Sequence, residues 1–176
     1  TALDGVQYLV ELGHTRIALI NQSQRRFDAG YGPVVRILQS YEVAMHNHNL
    51  PTISRFCSVT PQDGYRVCHE LLEEYSDLTA LMVMNERAIP GIIQAITEHE
   101  LRIPEDVSLL SLVSSPNVAQ MSIPPLSTMD LPNIELGRLG VERLIHQLEV
   151  GDDQPAPCEL RPCRLTVRGS TGPARP

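Results

Sequence analysis

Three short, nearly unbroken apolar runs constrain the fold most: Ile17-Ala18-Leu19-Ile20, Ala80-Leu81-Met82-Val83-Met84, and Val107 to Val113. Each is too short for a buried helix. None shows the alternation of a strand with one wet face, so each reads as a strand buried on both faces. Helical periodicity separates them. Strands alternating with helices imply βαβ units, hence an α/β fold with a parallel sheet and helices on both faces.

Leu3, Val6, Leu9, Val10 and Leu12 recur at helical spacing, and Gly13 suits the position just past a helix end. A polar loop is expected at Gln22 to Arg26. Val34, Val35, Leu38 and Val43 then mark a second helix, with Pro33 in its first turn or breaking an earlier start. Phe56 to Val59 reads as the next strand. Thr60-Pro61-Gln62-Asp63 carries helix-start chemistry: a hydroxyl cap, a proline at the first position and a first-turn carboxylate. A further helix spans about Ala88 to His99. The proline-rich stretch SIPPLSTMDLP, Ser122 to Pro132, reads as an extended, stiff crossover between lobes. A helix from about Ile134 to Val150 ends at the acidic turn Gly151-Asp152-Asp153. Leu165 to Arg168 is a short final strand, and Gly169 to Pro176 reads as a frayed tail.

A chain of 176 residues makes one ordinary domain, burying about two-thirds of its unfolded surface. No stretch approaches the roughly 20 apolar residues of a membrane span, and no secretory signal opens the chain. A net charge of -7 disfavours nucleic-acid contact through a basic face. All fourteen basic residues are arginine. The absence of lysine removes Schiff-base chemistry and phosphate loops that need a lysine.

The catalytic templates come up empty. No G-x-S-x-G, H-E-x-x-H or G-x-G-x-x-G pattern is present, and no acid-base or nucleophilic constellation assembles. The chain therefore reads as a non-enzyme with no cofactor. His46-Asn47-His48 and His69 hint at a metal, but further ligands are lacking, and an exposed loop is the plainer reading. Cys57, Cys68, Cys158 and Cys163 read as reduced core residues, with a Cys158–Cys163 disulfide as the alternative.

In parallel α/β sheets ligands bind beyond the carboxyl ends of the strands. That rule places Asn21 to Arg26, Thr60, Asn85 to Arg87 and Ser114 to Asn117 on one rim. Arg25-Arg26 is either an anion or hydroxyl clamp or a solvated pair. Asn85 is either a ligand contact or a strand-to-helix cap.

Read together, five ordered phrases resemble the lac repressor (LacI/GalR) family of bacterial transcription regulators. They are YLVELGHTRIALI, LTALMVMNERAIPGIIQAI, ELRIPEDVSLLSL, PPLSTMDLPNIELGRLGVERLI and LTVRGSTGP. They cover nearly the whole chain. The resemblance implies a periplasmic-binding-protein-like (type I) effector domain, of which this chain is the C-terminal lobe. Residues 1–125 would form that lobe. Residues 126–150 would supply a crossover strand and helix of an otherwise missing N-terminal lobe, and 151–176 the return strand and tail. A helix-turn-helix, a hinge helix and most of the N-terminal lobe are expected upstream.

By the same resemblance Arg26, Asn85, Glu86 and Val113 fall at effector-contacting positions. Arg26 is shifted by one residue from the family's R-x-x-G-[YFW] spacing, and Glu86 replaces an aspartate. Val113 stands where the family has an aspartate that holds ligand hydroxyls, which removes a bidentate polar contact. Ile89, Ile92, Ile93 and Val118 fall on the family's dimer surface. The implied partners are a small effector (a sugar or purine-like metabolite), operator DNA through the upstream helix-turn-helix, and a second copy, in the cytoplasm and away from membranes. The rivals are a periplasmic sugar-type solute-binding protein and a flavodoxin-like enzyme.

Overall fold

The expected alternation builds one six-stranded sheet in the computed structural model, which describes residues 1–150 and 161–175. The strands are β1 (Ile17–Asn21), β2 (Ile53–Phe56), β3 (Ala80–Val83), β4 (Ser108–Ser111), β5 (Ser127–Asp130) and β6 (Arg164–Thr166). Their order is β2-β1-β3-β4-β5-β6. The first five run parallel, and β6 is antiparallel to β5.

The apolar runs are buried on both faces because successive side chains point to opposite sides. Ala18, Ile20, Leu81, Val83 and Leu109 pack beneath α4 (Pro61–Glu74) and α5 (Ile89–Glu98). Ile17, Leu19, Ala80, Met82 and Leu110 pack beneath α1 (Ala2–Glu11) and α3 (Gly32–Asn47). Tyr41 of α3 is fully buried. Its hydroxyl donates to the Ile17 carbonyl at 2.7 Å and accepts from the Ile53 amide at 2.9 Å, tying β1 to the edge strand β2.

The turn after α1 is a Schellman closure. Gly13 takes φ +92, its amide bonds Val10 O at 2.9 Å, and the His14 amide bonds Leu9 O at 3.1 Å. A side chain at that φ would be strained, hence glycine.

Several elements depart from the sequence reading. β2 lies three residues earlier than Phe56 to Val59. The Cys57 amide still bonds Asn21 O, but Ser58 turns its amide and hydroxyl to the Asp63 carboxylate, at 2.6 and 2.7 Å. That carboxylate contact commits residues 58–60 to capping α4. Residues 24–28 form a short helix, α2 (Gln24–Asp28), rather than a loop, and it buries no residue.

The tail is not frayed. Ser170 is fully buried, its hydroxyl donates to Leu109 O at 2.6 Å, and its carbonyl accepts from the Leu109 amide at 2.7 Å. Ala174 N reaches Leu12 O at 2.9 Å. Termini stay ordered when tied down in this way.

The crossover strand also needs correction. β5 pairs with β4 on one side and β6 on the other, so it belongs to this sheet and not to an absent lobe. The helix that follows, α7 (Asn133–Val150), behaves differently. Ile134 is 92% exposed and Leu148 76%, and Val141 and Leu144 are also largely exposed. Cys57 and Cys68 are buried free thiols and Cys163 a partly buried one. Cys158 and the turn at Gly151-Asp152-Asp153 lie outside the described residues. No described helix is long and apolar enough to cross a membrane.

Candidate functional site

At the carboxyl edge of the sheet the chain leaves β3 after Val83, β4 after Ser111 and β5 after Asp130. The exits from β4 and β5, with the start of α7, enclose a cleft of about 860 Å³, within the size range of small-molecule sites. Its walls are mainly apolar, from Val113, Met129, Leu131 and Ile134, and Glu86 and Asp130 supply carboxylates.

Glu86 opens a 3-10 turn (Glu86–Ala88) and accepts from the Ser115 amide at 2.7 Å, which fixes it across the gap between the β3 and β4 exits. Asp130 accepts from the hydroxyls of Thr128 on its own strand at 2.6 Å and Thr166 on the neighbouring β6 at 2.5 Å. Each carboxylate keeps lone pairs for a ligand, since two oxygens offer about four acceptor sites. Arg138 and Glu135 also reach the cleft, but they are engaged elsewhere. Arg138 bonds Glu142 at 2.6 Å, and Glu135 faces Arg161 at 3.5 Å.

The structure divides the residues expected at the ligand. Glu86 and Val113 line the cleft. Arg26 lies on α2 and lines a separate concavity of about 690 Å³ with Arg25, Gly30 and Tyr31. Asn85 is buried, and its amide donates to Ser58 O at 2.8 Å, joining the start of α5 to the start of α4. Asn85 stands at the N-cap of the 3-10 turn, but its side chain makes no cap bond there and is spent on Ser58 instead. Asp130 was missed. Its signal was a carboxylate closing STMD at a strand's carboxyl end, obscured by reading that strand as part of another lobe.

The residues expected on a partner-facing surface also divide. Ile89 and Ile92 are buried in the core under α4, so neither is free to meet a second chain. Ile93 and Val118 are partly exposed. Near Val118, at the end of α6 (Pro116–Met121), Met121 is 82% exposed and Ile123 86%.

Nucleophile chemistry finds no support in the thiols. Burial pushes Cys57 and Cys68 up to about 12, which keeps both protonated and inert. Among the described residues no three His, Cys, Asp or Glu side chains are grouped to hold a metal. His69 faces His99, with Nδ1 and Nε2 2.7 Å apart, rather than His46 or His48.

Comparison with known proteins settles the kind of fold this edge belongs to. Residues 6–171 match the model of the periplasmic binding protein-like domain. The chain belongs to that family. Relatives of this periplasmic binding protein-like domain include the ribose operon repressor of Escherichia coli (strain K12), 30% identical over 168 residues. That match covers 93% of this chain and 48% of the repressor. A LacI-family transcriptional regulatory protein from Corynebacterium glutamicum superposes with a TM-score of 0.82 at 28% identity, covering 98% of this chain and 64% of that one. The lac repressor dimer bound to operator and the anti-inducer ONPF gives 0.83 at 27%, covering 97% of this chain and 57% of that one. The resemblance read from the five phrases thus holds. The periplasmic binding protein-like domain spans about half the length of the curated relatives it matches, and those relatives are transcriptional regulators rather than enzymes.

Proposed function

We propose that this chain is the effector-sensing part of a cytoplasmic DNA-binding transcription regulator. A small metabolite would bind against the carboxyl edge of the sheet, and operator DNA would be held by a helix-turn-helix upstream. The observation that carries the reading is the cleft itself. It is apolar-walled, it holds the carboxylates of Glu86 and Asp130, and α7 forms its far wall. The exposed apolar residues of α7 fit a helix that packs on an N-terminal lobe carried by the rest of the protein. A ligand between two lobes acts by its differential affinity for their open and closed arrangements. The ribose operon repressor among the relatives makes a sugar effector a natural first class to test, although Val113 removes one hydroxyl-binding carboxylate.

The test is a thermal-shift screen with neutral probes: ribose, other free sugars, purines and nucleosides. A ligand at one hundred times its Kd raises stability by about 2.7 kcal/mol. At least one probe is expected to raise the melting temperature, and Glu86→Gln to remove most of that rise. A screen in which no probe shifts the protein, or in which Glu86→Gln changes nothing, would sink the cleft as an effector site.

The same reading includes a homodimer, through the surface that carries Ile93, Val118, Met121 and Ile123. Exposed apolar side chains such as Met121 and Ile123 favour association. Met121→Arg is expected to convert a dimer to a monomer in sedimentation velocity. A wild-type dimer that is untouched by this charge would place the interface elsewhere.

A further inference from the structure

The lining of the cleft is one-sided in charge and in hydrogen bonding. Its charged side chains are Glu86, Asp130, Glu135 and Arg138. The last two are neutralised by neighbours: Arg138 bonds Glu142 at 2.6 Å and Glu135 faces Arg161 at 3.5 Å. Glu86 and Asp130 form no ion pair among the described residues, so two carboxylates remain without a free counter-charge in the cleft. The serines do not redress this. Ser114 Oγ pairs with Ser111 Oγ at 2.6 Å, and Ser115 gives its amide to Glu86 at 2.7 Å and its hydroxyl at 3.4 Å. Asn133 both gives and accepts, and so favours neither kind of ligand group.

Asp130 is the better prepared of the two acids. It is half-buried, and each of its oxygens takes one threonine hydrogen: Oδ1 from Thr128 at 2.6 Å, Oδ2 from Thr166 at 2.5 Å. Arg168 settles the direction of the first bond. It donates to Thr128 Oγ1 at 2.8 Å and to Leu126 O at 2.7 Å. A guanidinium only donates, so Thr128 accepts from it and turns its own hydrogen to Asp130. Arg168 is not among the residues that line the cleft, and it supports Asp130 through Thr128.

From this lining we infer that the effector is a small amine bound as its ammonium ion, with Asp130 the residue that selects the charge and Glu86 a second acceptor. The inference rests on the effector reading and adds the ligand class to it. An ammonium offers three donors and no acceptor, which complements two acceptor-only carboxylates. Bonds between such ions are shorter and stronger than neutral ones. The apolar walls at Val113, Met129, Leu131 and Ile134 suit a carbon skeleton. A neutral sugar would displace water and leave both negative charges unpaired, which is costly in an enclosed site. A phosphate or carboxylate ligand would be repelled.

The test measures thermal shifts at neutral pH with probes that differ in one group: glucosamine against N-acetylglucosamine and glucose, and cyclohexylamine against cyclohexanol. At least one amine is expected to bind about tenfold or more tightly than its hydroxyl counterpart. N-acetylation, which removes the charge, should abolish any advantage of glucosamine over glucose. Asp130→Asn isolates the charge from the shape, because an amide can accept from Thr128 and donate to Thr166. It should bring amine and hydroxyl counterpart to the same affinity.

Equal binding within every pair would overturn the amine as ligand class and leave the cleft reading standing. An amine advantage that survives Asp130→Asn would overturn the assignment of selection to Asp130. If that variant fails to fold, Glu86→Gln carries the same comparison from a turn outside the sheet, and an undiminished advantage there would overturn the two-carboxylate site. No shift from any probe, charged or neutral, would sink the cleft itself.

Discussion

Gly91→Ala is expected to destabilise the protein by about 3 kcal/mol, toward the upper end for an overpacked core site. A Cβ at Gly91 would stand 1.8 Å from Pro61 O and 2.8 Å from the Tyr65 amide nitrogen. The opposing residue is as tight, since a Cβ at Gly64 would stand 2.3 Å from Ala88 O. Helices α4 and α5 therefore touch backbone to backbone where they begin. The obstacle is main chain and cannot swing aside like a side-chain end. The helices would have to part, opening the core around Ile89, Ile92 and Val67. Parting them also strains the Asn85 bond to Ser58 O and moves Glu86, which follows Asn85 directly. Urea unfolding reads the stability, and a midpoint within error of wild type would show that the interface gives way far more easily than this geometry allows.

His14→Ala is expected to cost about 2–4 kcal/mol, combining a lost buried ring with stranded polar partners. His14 is nearly fully buried. Its Nε2 lies 3.0 Å from Gly172 O and 3.1 Å from Ser108 Oγ, and its Nδ1 2.9 Å from Thr79 Oγ1. A carbonyl only accepts, so Nε2 carries the hydrogen, and in the neutral ring Nδ1 accepts from Thr79. The ring thus fastens the carboxyl-terminal tail to β4 and to the turn before β3.

Burial holds the His14 pKa below its ordinary 6.5, against a smaller upward pull from the Gly172 carbonyl. Below pH 6.5 the unfolded chain takes up a proton that the folded chain refuses. Stability should fall as pH drops through that window, at up to about 1.4 kcal/mol per unit, and this group should contribute no slope above it. The substitution should remove that component of the acid slope. If wild type and variant lose stability in parallel below pH 6.5, His14 is not the group responsible.

The parts of the fold legible in the sequence are those whose burial is local and symmetric. β1, β3 and β4 announced themselves because both faces are covered. β2 did not, because it lies at the sheet edge with Arg55 half exposed, and the apolar Val59 beyond it faces solvent. α2 buries nothing, so it left no periodicity to read. The tail looked loose because its anchors, Ser170 to Leu109 and His14 to Gly172, are polar and distant in sequence.

Resemblance placed Glu86 and Val113 at the rim, and both line the cleft, but the direction in which neighbouring side chains turn was not legible. Asn85 and Glu86 are consecutive, yet one turns inward to Ser58 and the other outward to the cleft. Ile89 and Ile92 were placed on a partner face by resemblance to the family's dimer surface, and they lie on the apolar side of α5. In fact that apolarity is spent on the chain's own core.

The way α7 departs from the sheet fixes where that excursion is rooted. The chain leaves along β5 at Asp130 and rejoins along β6 at Arg164, and those two residues sit opposite each other in the ladder. The outgoing and returning strands thus stand side by side, like two feet planted on one plank. Asp130 ties the two together by accepting from Thr128 on one strand and Thr166 on the other. The carboxylate that lines the cleft therefore sits at the root shared by the outgoing and returning chain.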